Sequence, residues 1–344
     1  MSTARLTIYA ILIGNTSRKK LNSLRQSLEG YGASAFLTLY FWLIPEWMVA
    51  VNNKKSGFTV VEVLTVIAII AMLVAVLIPA LSTVRRIAKE TKQKAQLTTI
   101  ELALTAFKND YGDFPPSNWF APPVFDYCGA QKLAEALLGW DLRGFHPQSD
   151  FRANGRTDKA VFIYDPCNPV FLDQRKGPYL ELSTTNAFRL GTSGPGILDG
   201  LFDYSTLALQ CPLAPNTFVL CDVFAVKPVI VPGRSGRVIA GAPVLYYRAN
   251  TSSKNIDAAA FEDRIYNFRD NFPIVTLRRL ADWKKPFQLR GQHRIEDFNY
   301  FYGYITDPKV QGRPWPYRPD SYILISAGAD GLYGTSDDIR NFGN

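Results

Sequence analysis

Residues Gly57 to Leu81 read GFTVVEVLTVIAIIAMLVAVLIPAL, and how this run is interpreted decides the fold. Its 24 residues from Phe58 to Leu81 would extend roughly 36 Å as a helix, against a bilayer core of roughly 30 Å. A polar, basic segment, Asn52-Asn53-Lys54-Lys55-Ser56, comes directly before it. Only one acid interrupts the apolar side chains, Glu62. An ionised carboxylate among Val and Ile costs at least about 2.5 kcal/mol in a membrane unless something neutralises it. Two readings of Glu62 follow. It can sit at the membrane interface near Lys54 and Lys55 with its charge in water. Alternatively, a cut after Gly57 would give Phe58 a new α-amino group, and the amine of a neighbouring chain could pair with Glu62 inside a bundle of apolar helices. An unpaired charge there is expensive, so the pairing would drive assembly.

Beyond Leu81 the pattern changes without a turn signal. Val84, Ile87, Ala88, Ala95, Leu97, Ile100, Leu104, Phe107 and Tyr111 are mostly three or four residues apart, and Arg85, Arg86, Lys89, Lys92, Lys94 and Lys108 fall between them. This predicts an amphipathic helix that continues the apolar one. Pro79 lies within it and, lacking a backbone donor, should bend it. Residues 58–111 then form one element about 80 Å long. Its first part (58–81) is apolar all round and spans the membrane. Its second part (82–111) has a single stripe that the rest of the chain should cover. Gly112-Asp113-Phe114-Pro115-Pro116 ends it.

The head, 112–344, predicts a short amphipathic helix over Ala130–Trp140 and a second helical stretch over Ile256–Arg269. Strands are expected at Thr217–Val226, Gly236–Ala240, Val244–Arg248, Asn299–Ile305 and Ser321–Ser326. A long helix followed by strands without βαβ alternation argues α+β, with the helix packed on an antiparallel sheet.

Residues 1–57 read as a leader, not a folded unit. Met48 as the true start would shorten it to MVAVNNKKSG, which has the polar, basic character of a targeting segment. Of the net charge of +8, +5 lies in residues 1–57, where seven Lys/Arg face two acids. Positive charge ahead of an apolar run marks the cytoplasmic side and weakens a nucleic-acid reading. No nucleic-acid partner is expected.

The four cysteines, Cys128, Cys167, Cys211 and Cys221, form no C-x-x-C pair, and only His146 and His293 could supplement them, which argues against zinc. In an extracytoplasmic head one or two disulfides could form, Cys211–Cys221 first among them; buried free thiols are the other reading. No G-x-S-x-G and no legible Cys/His site points to an enzyme.

Lys54-Lys55-Ser56-Gly57 followed by Phe58-Thr59-Val60-Val61-Glu62, with Pro79 further on, closely resembles the class III signal of type IV pilins and type II secretion pseudopilins. The resemblance implies that a membrane-embedded prepilin peptidase cuts after Gly57 and methylates Phe58. Glu62, fifth in the processed chain, would then aid docking, and Pro79, twenty-second, would bend the helix. The basic residues Arg85 to Lys94 oppose a simple positive-inside orientation, and by the resemblance the processing motif sets it.

The tail, from Ser326 through Asp330-Gly331 to Asp337-Asp338-Ile339, is rich in turns and carboxylates. Taken alone, it reads either as oxygen ligands converging on a hard cation or as an Asp-Gly hairpin beside a solvated acidic turn. It resembles the C-terminal calcium loop of the major pseudopilins, which implies Ca²⁺ held by Asp330, Asp337 and Asp338. Lys176-Gly177-Pro178-Tyr179-Leu180 is similar to another segment of that family. The resemblance implies a pseudopilin, and the intervening segment 181–320, which it does not cover, looks like an enlarged head without an assignment. Such a subunit is anchored once in the inner membrane with its head in the periplasm. It assembles into a periplasmic fibre with other subunits and an inner-membrane assembly platform. A pilus pilin or minor pilin is the alternative, as is an uncleaved, membrane-anchored extracytoplasmic binding protein.

Overall fold

The computed structural model describes residues 59–119, 127–182, 185–194, 197–203, 213–231, 236–284 and 292–343. Gly57, Phe58, the leader and Cys211 lie outside the described residues. The chain divides into two units, Met1–Val74 and Ala75–Asn344.

Helix α1 (Val60–Tyr111) begins in the first unit and continues into the second. Every residue from Thr59 to Ile78 is exposed, although nearly all are apolar. Continuous apolar surface of this kind marks contact with lipid or with another protein. By length and composition the helix can cross a membrane.

In the second unit the amphipathic stripe of α1 is covered only in part. Leu97, Ile100, Leu104 and Phe107 are buried, spaced by three or four residues as the pattern requires. Val84 and Ile87, expected on the same stripe, remain exposed. Polar side chains tie the covered stretch to the head. Gln93 accepts from Val223 N (2.9 Å), and Gln96 Nε2 donates to Cys221 O (2.8 Å). Glu101 accepts from Arg318 (2.5 Å) and from Asn341 (3.0 Å), while Asp110 accepts from Lys176 (3.0 Å) and Tyr179 (2.6 Å). Gly112, in the left-handed region (φ 85°), donates its N–H to Lys108 O and ends the helix.

The head is α+β. Its described residues include α2 (Gly129–Leu138), α3 (Pro169–Asp173), α4 (Phe272–Val275) and α5 (Phe298–Ile305). Among the described residues, seven short strands pair antiparallel in three small sheets. These are β1 (Ala187–Arg189) with β2 (Phe218–Leu220), β3 (Lys227–Ile230) with β4 (Arg237–Ala240), and β5 (Leu245–Arg248) with β6 (Tyr322–Ser326) and β7 (Ile339–Arg340).

The β5–β6–β7 sheet is the centre of the head, with both faces buried. Side chains alternate across a strand, and here each set meets a different core. Tyr246, Tyr322 and Leu324 pack with Leu104, Phe107 and the buried α2. Leu245, Tyr247, Ile323 and Ile325 pack with Phe301 and Ile305 of α5. That is why Tyr322–Ser326 is buried at every position.

Asn299–Ile305, expected as a strand, lies within α5 instead. The buried residues Phe301 and Ile305 are four apart, and Asp297 caps the helix by accepting from Asn299 N and Tyr300 N. The Ile256–Arg269 stretch forms only short 3₁₀ turns, at Phe261–Asp263 and Phe268–Asn271. Thr217–Val226 is a strand only over Phe218–Leu220, and Lys227–Ile230 continues as a separate one.

Asp222 couples the sheets. Its buried carboxyl accepts from Phe224 N, Ala242 N and Ser326 Oγ, each at 3.1 Å. Burial pushes it up to about 8 against the pull of those donors. A carboxyl raised above its unfolded value near 3.9 contributes stability in acid that is lost as pH rises through the folded value. Asp270 and Asp338, pushed by burial to about 7, add to the same loss, and Lys132 and Lys227, pushed down by burial to about 8, begin to offset it near the top of that range. His293, pushed down to about 4 by burial, acts only at lower pH. The melting temperature is therefore expected to fall as pH rises from about 6.5 toward about 8, and Asp222→Asn to make that slope shallower. An equal slope in the variant would remove Asp222 as its cause.

Candidate functional site

The assembly end of the chain is built on a helix start. Thr59 precedes α1, and Glu62 is its third residue, giving the T-x-x-E arrangement of a capping box. Thr59 N and Thr59 Oγ1 donate to Glu62 Oε2 at 2.9 and 2.8 Å, and Glu62 N donates back to Thr59 Oγ1 at 3.3 Å. Both sequence readings of Glu62 overlooked this local role, although the Thr-x-x-Glu spacing carries it. Only Oε2 is engaged by the cap, so Oε1 points to no partner among the described residues. The carboxylate also stands at the helix N-terminus, where backbone N–H groups favour negative charge. The structure thus holds Glu62 in place through Oε2.

A second constellation lies in the β6–β7 connection, residues 327–338, with β7 returning to pair with Ile325 and Ser326. The loop is cross-linked by its own carboxylates. Asp337 Oδ2 accepts from Asp330 N (2.9 Å) and Oδ1 from Thr335 Oγ1 (2.5 Å), while Asp330 Oδ1 accepts from Leu332 N (2.8 Å). Asp338 Oδ2 accepts from Gly334 N (2.7 Å) and from the Tyr304 hydroxyl. Gly328 is required where the loop turns: at φ 65°, a Cβ there would lie 2.2 Å from Asp337 O.

The head holds this loop from several sides. Tyr300 donates to Gly334 O (2.7 Å), Arg279 to Asp330 O (3.2 Å), and Tyr333 to Pro243 O (2.5 Å). Tyr333 N donates to His293 Nδ1 (3.1 Å), which places the imidazole proton on Nε2. None of these partners was legible in the sequence, because each reaches the loop from a distant segment.

The loop carboxylates differ electrostatically. Burial raises Asp338 to about 7, and its Oδ1 is buried without a hydrogen-bond partner. Burial and the neighbouring Asp337 also raise Asp330. Burial acts on Asp337 too, but hydrogen bonds from Thr335 and Asp330 outweigh it and hold that carboxylate below its ordinary value. Among the described residues, no group of three His, Cys, Asp or Glu side chains is arranged to hold a metal ion. Asp330 and Asp337 bring their carboxyls into contact with each other, and Asp338 follows Asp337 in the same loop.

Cys128, Cys167 and Cys221 are free thiols, the first and last buried and Cys167 exposed. Cys211 lies outside the described residues.

A family model described as the prokaryotic N-terminal methylation motif matches residues 52–78. The match covers the basic segment, Gly57, Phe58, Glu62 and most of the apolar run, and none of the head. No curated protein and no solved structure is detectably similar to the chain. With an apolar helix able to span a bilayer, the motif supports a type IV pilin-like, membrane-anchored protein processed by a prepilin peptidase.

Proposed function

We propose that the chain is a structural subunit of a type II secretion pseudopilus, cut after Gly57, methylated on Phe58 and assembled through its N-terminal helix. The methylation motif over residues 52–78 carries this reading. The exposed apolar surface from Val60 to Ile78 supports it, because such a surface needs lipid before assembly and neighbouring helices after it. A pseudopilus is preferred to a surface pilus for the Asp-rich β6–β7 loop. Mass spectrometry of the membrane-extracted protein is expected to find N-methyl-Phe58 as the terminus. A chain that still carries residues before Phe58 would sink the proposal.

The same reading gives the β6–β7 loop a calcium ion. Asp338 would supply the buried anchor, since its Oδ1 has no partner among the described residues and burial raises its carboxyl. Asp330 and Asp337 would have to turn from their loop hydrogen bonds to join it, with backbone carbonyls as further ligands. Bound Ca²⁺ would neutralise the crowded carboxylates. Calcium is expected to raise the melting temperature in a concentration-dependent way relative to chelator. Asp338→Asn, which keeps the hydroxyl and N–H contacts feasible, should remove the shift. Identical melting with calcium and with chelator would leave the loop as a hairpin closed by its own carboxylates.

A further inference from the structure

A polar cleft opens in the head where three segments meet: Ser117–Asn118 after α1, Arg248–Ser252 at the end of β5, and Glu262–Asp270. Its volume, about 440 Å³, falls in the range of small-molecule sites, roughly 300–1,000 Å³. The proposed assembly and calcium roles make no use of it.

Hydrogen-bond donors dominate the unused capacity of this cleft. Arg264 donates through Nε to Ala258 O (2.6 Å), and its guanidinium lies over the rings of Tyr302 (4.3 Å) and Phe261 (4.7 Å). No carboxylate pairs with it among the described residues. The other charges are matched: Arg248 with Asp113, and Glu262 with Arg269 at 3.8 Å. Buried Asp270 has the Lys132 ammonium nearby to offset its charge. Two amides have their oxygens occupied. Asn118 Oδ1 accepts from Lys132 Nζ (3.0 Å) and Asn267 Oδ1 from Arg269 N (3.0 Å), which leaves both amide nitrogens as donors. The hydroxyls of Thr251 and Ser252 are exposed at the rim.

One further observation points to a ligand. Asp270 lines the cleft and is 3% exposed; its Oδ2 accepts from Ser117 Oγ, and its Oδ1 is buried with no partner. A buried acceptor left unmatched costs roughly 1–3 kcal/mol, which a ligand hydroxyl would recover once a small shift of the cleft wall uncovers Oδ1, closed to solvent here. Arg264 asks for an oxyanion, because a stacked, oriented guanidinium matches carboxylate or phosphate geometry. The volume exceeds what a bare ion needs.

We propose that this cleft binds a small hydroxyl-bearing oxyanion, a sugar acid or a sugar phosphate, with Arg264 on the anionic group and Asp270 on a hydroxyl. Calorimetric titration of the full chain in detergent micelles distinguishes the two sources, using glucuronate and glucose 6-phosphate as probes and glucose as the neutral control. At least one charged sugar is expected to bind, and glucose at least about tenfold more weakly, a difference of about 1.4 kcal/mol. Binding of glucuronate alone identifies a carboxylate ligand, and of glucose 6-phosphate alone a phosphate ligand. Arg264→Gln should weaken the charged probe at least about tenfold. Ser252→Asp, an exposed change that puts a negative charge at the rim, should weaken it as well. Absence of heat from either charged sugar up to about 10 mM, equal binding of glucose, or unchanged affinity in both variants would overturn the proposal.

Discussion

Glu62→Gln is expected to abolish incorporation of the chain into a fibre while membrane insertion and the fold of the head persist. The argument turns on separating two jobs of one carboxylate. Within a single chain, Oε2 caps α1 through Thr59. Losing a cap costs about 0.5–2 kcal/mol and frays one helix turn. In a bundle of apolar helices the same carboxylate would have to be neutralised, and an unneutralised charge there costs at least about 2.5 kcal/mol per subunit. An amine on residue 58 of a neighbouring subunit, paired with Oε1, removes that cost only in the correct register. Glutamine preserves the shape and part of the cap but cannot attract the amine. Thr59→Val supplies the contrast, because it removes the Oγ1 donor and leaves the carboxylate. If capping were the whole role of Glu62, the two variants would behave alike in a fibre assay. If docking is the role, Thr59→Val should assemble and Glu62→Gln should not. Assembly of Glu62→Gln at the level of the parent would end the docking account.

What the sequence disclosed depended on how local each signal was. The span of α1 was legible because its two patterns, all-round apolar and then a stripe, extend over 52 residues. Its end at Gly112 was legible because glycine and two prolines leave a helix no way forward. Asn299–Ile305 misled, since Tyr300, Tyr302 and Tyr304 alternate like a strand while the buried pair, Phe301 and Ile305, follows the helical period. Asp297 was a local helix-start signal that the alternation outweighed, and burial of Phe301 and Ile305 against the sheet decides for the helix. The carboxylates of the tail were visible as a composition, but their partners Tyr300, Tyr304, Arg279 and His293 were not. The cleft around Arg264 was invisible for the same reason, as three segments far apart in the chain form it.

Phe107→Ala is expected to produce the largest loss of stability of any single change on α1. Phe107 is 3% exposed, and its ring meets Tyr111 at 4.7 Å, Phe145 at 5.1 Å and Tyr179 at 5.9 Å. It belongs to the core that α1 shares with α2 and one face of the β5–β6–β7 sheet. Truncation would therefore open a cavity among rings that α2 and the segment around Tyr179 hold in place, leaving little room for collapse. The cost of such a change is about 3–5 kcal/mol, a large share of the roughly 5–15 kcal/mol that separates folded from unfolded domains. The urea midpoint should drop while the slope stays constant. Leu102→Ala is the matched control, on the same helix but 68% exposed, and should change stability by no more than about 0.5 kcal/mol. The pair tests how the helix divides its work. A midpoint lowered equally by both would mean that α1 stabilises the head through helicity alone. Loss confined to Phe107→Ala would mean that the head is built on one face of α1, leaving the face that carries Leu102 free for contacts outside the chain.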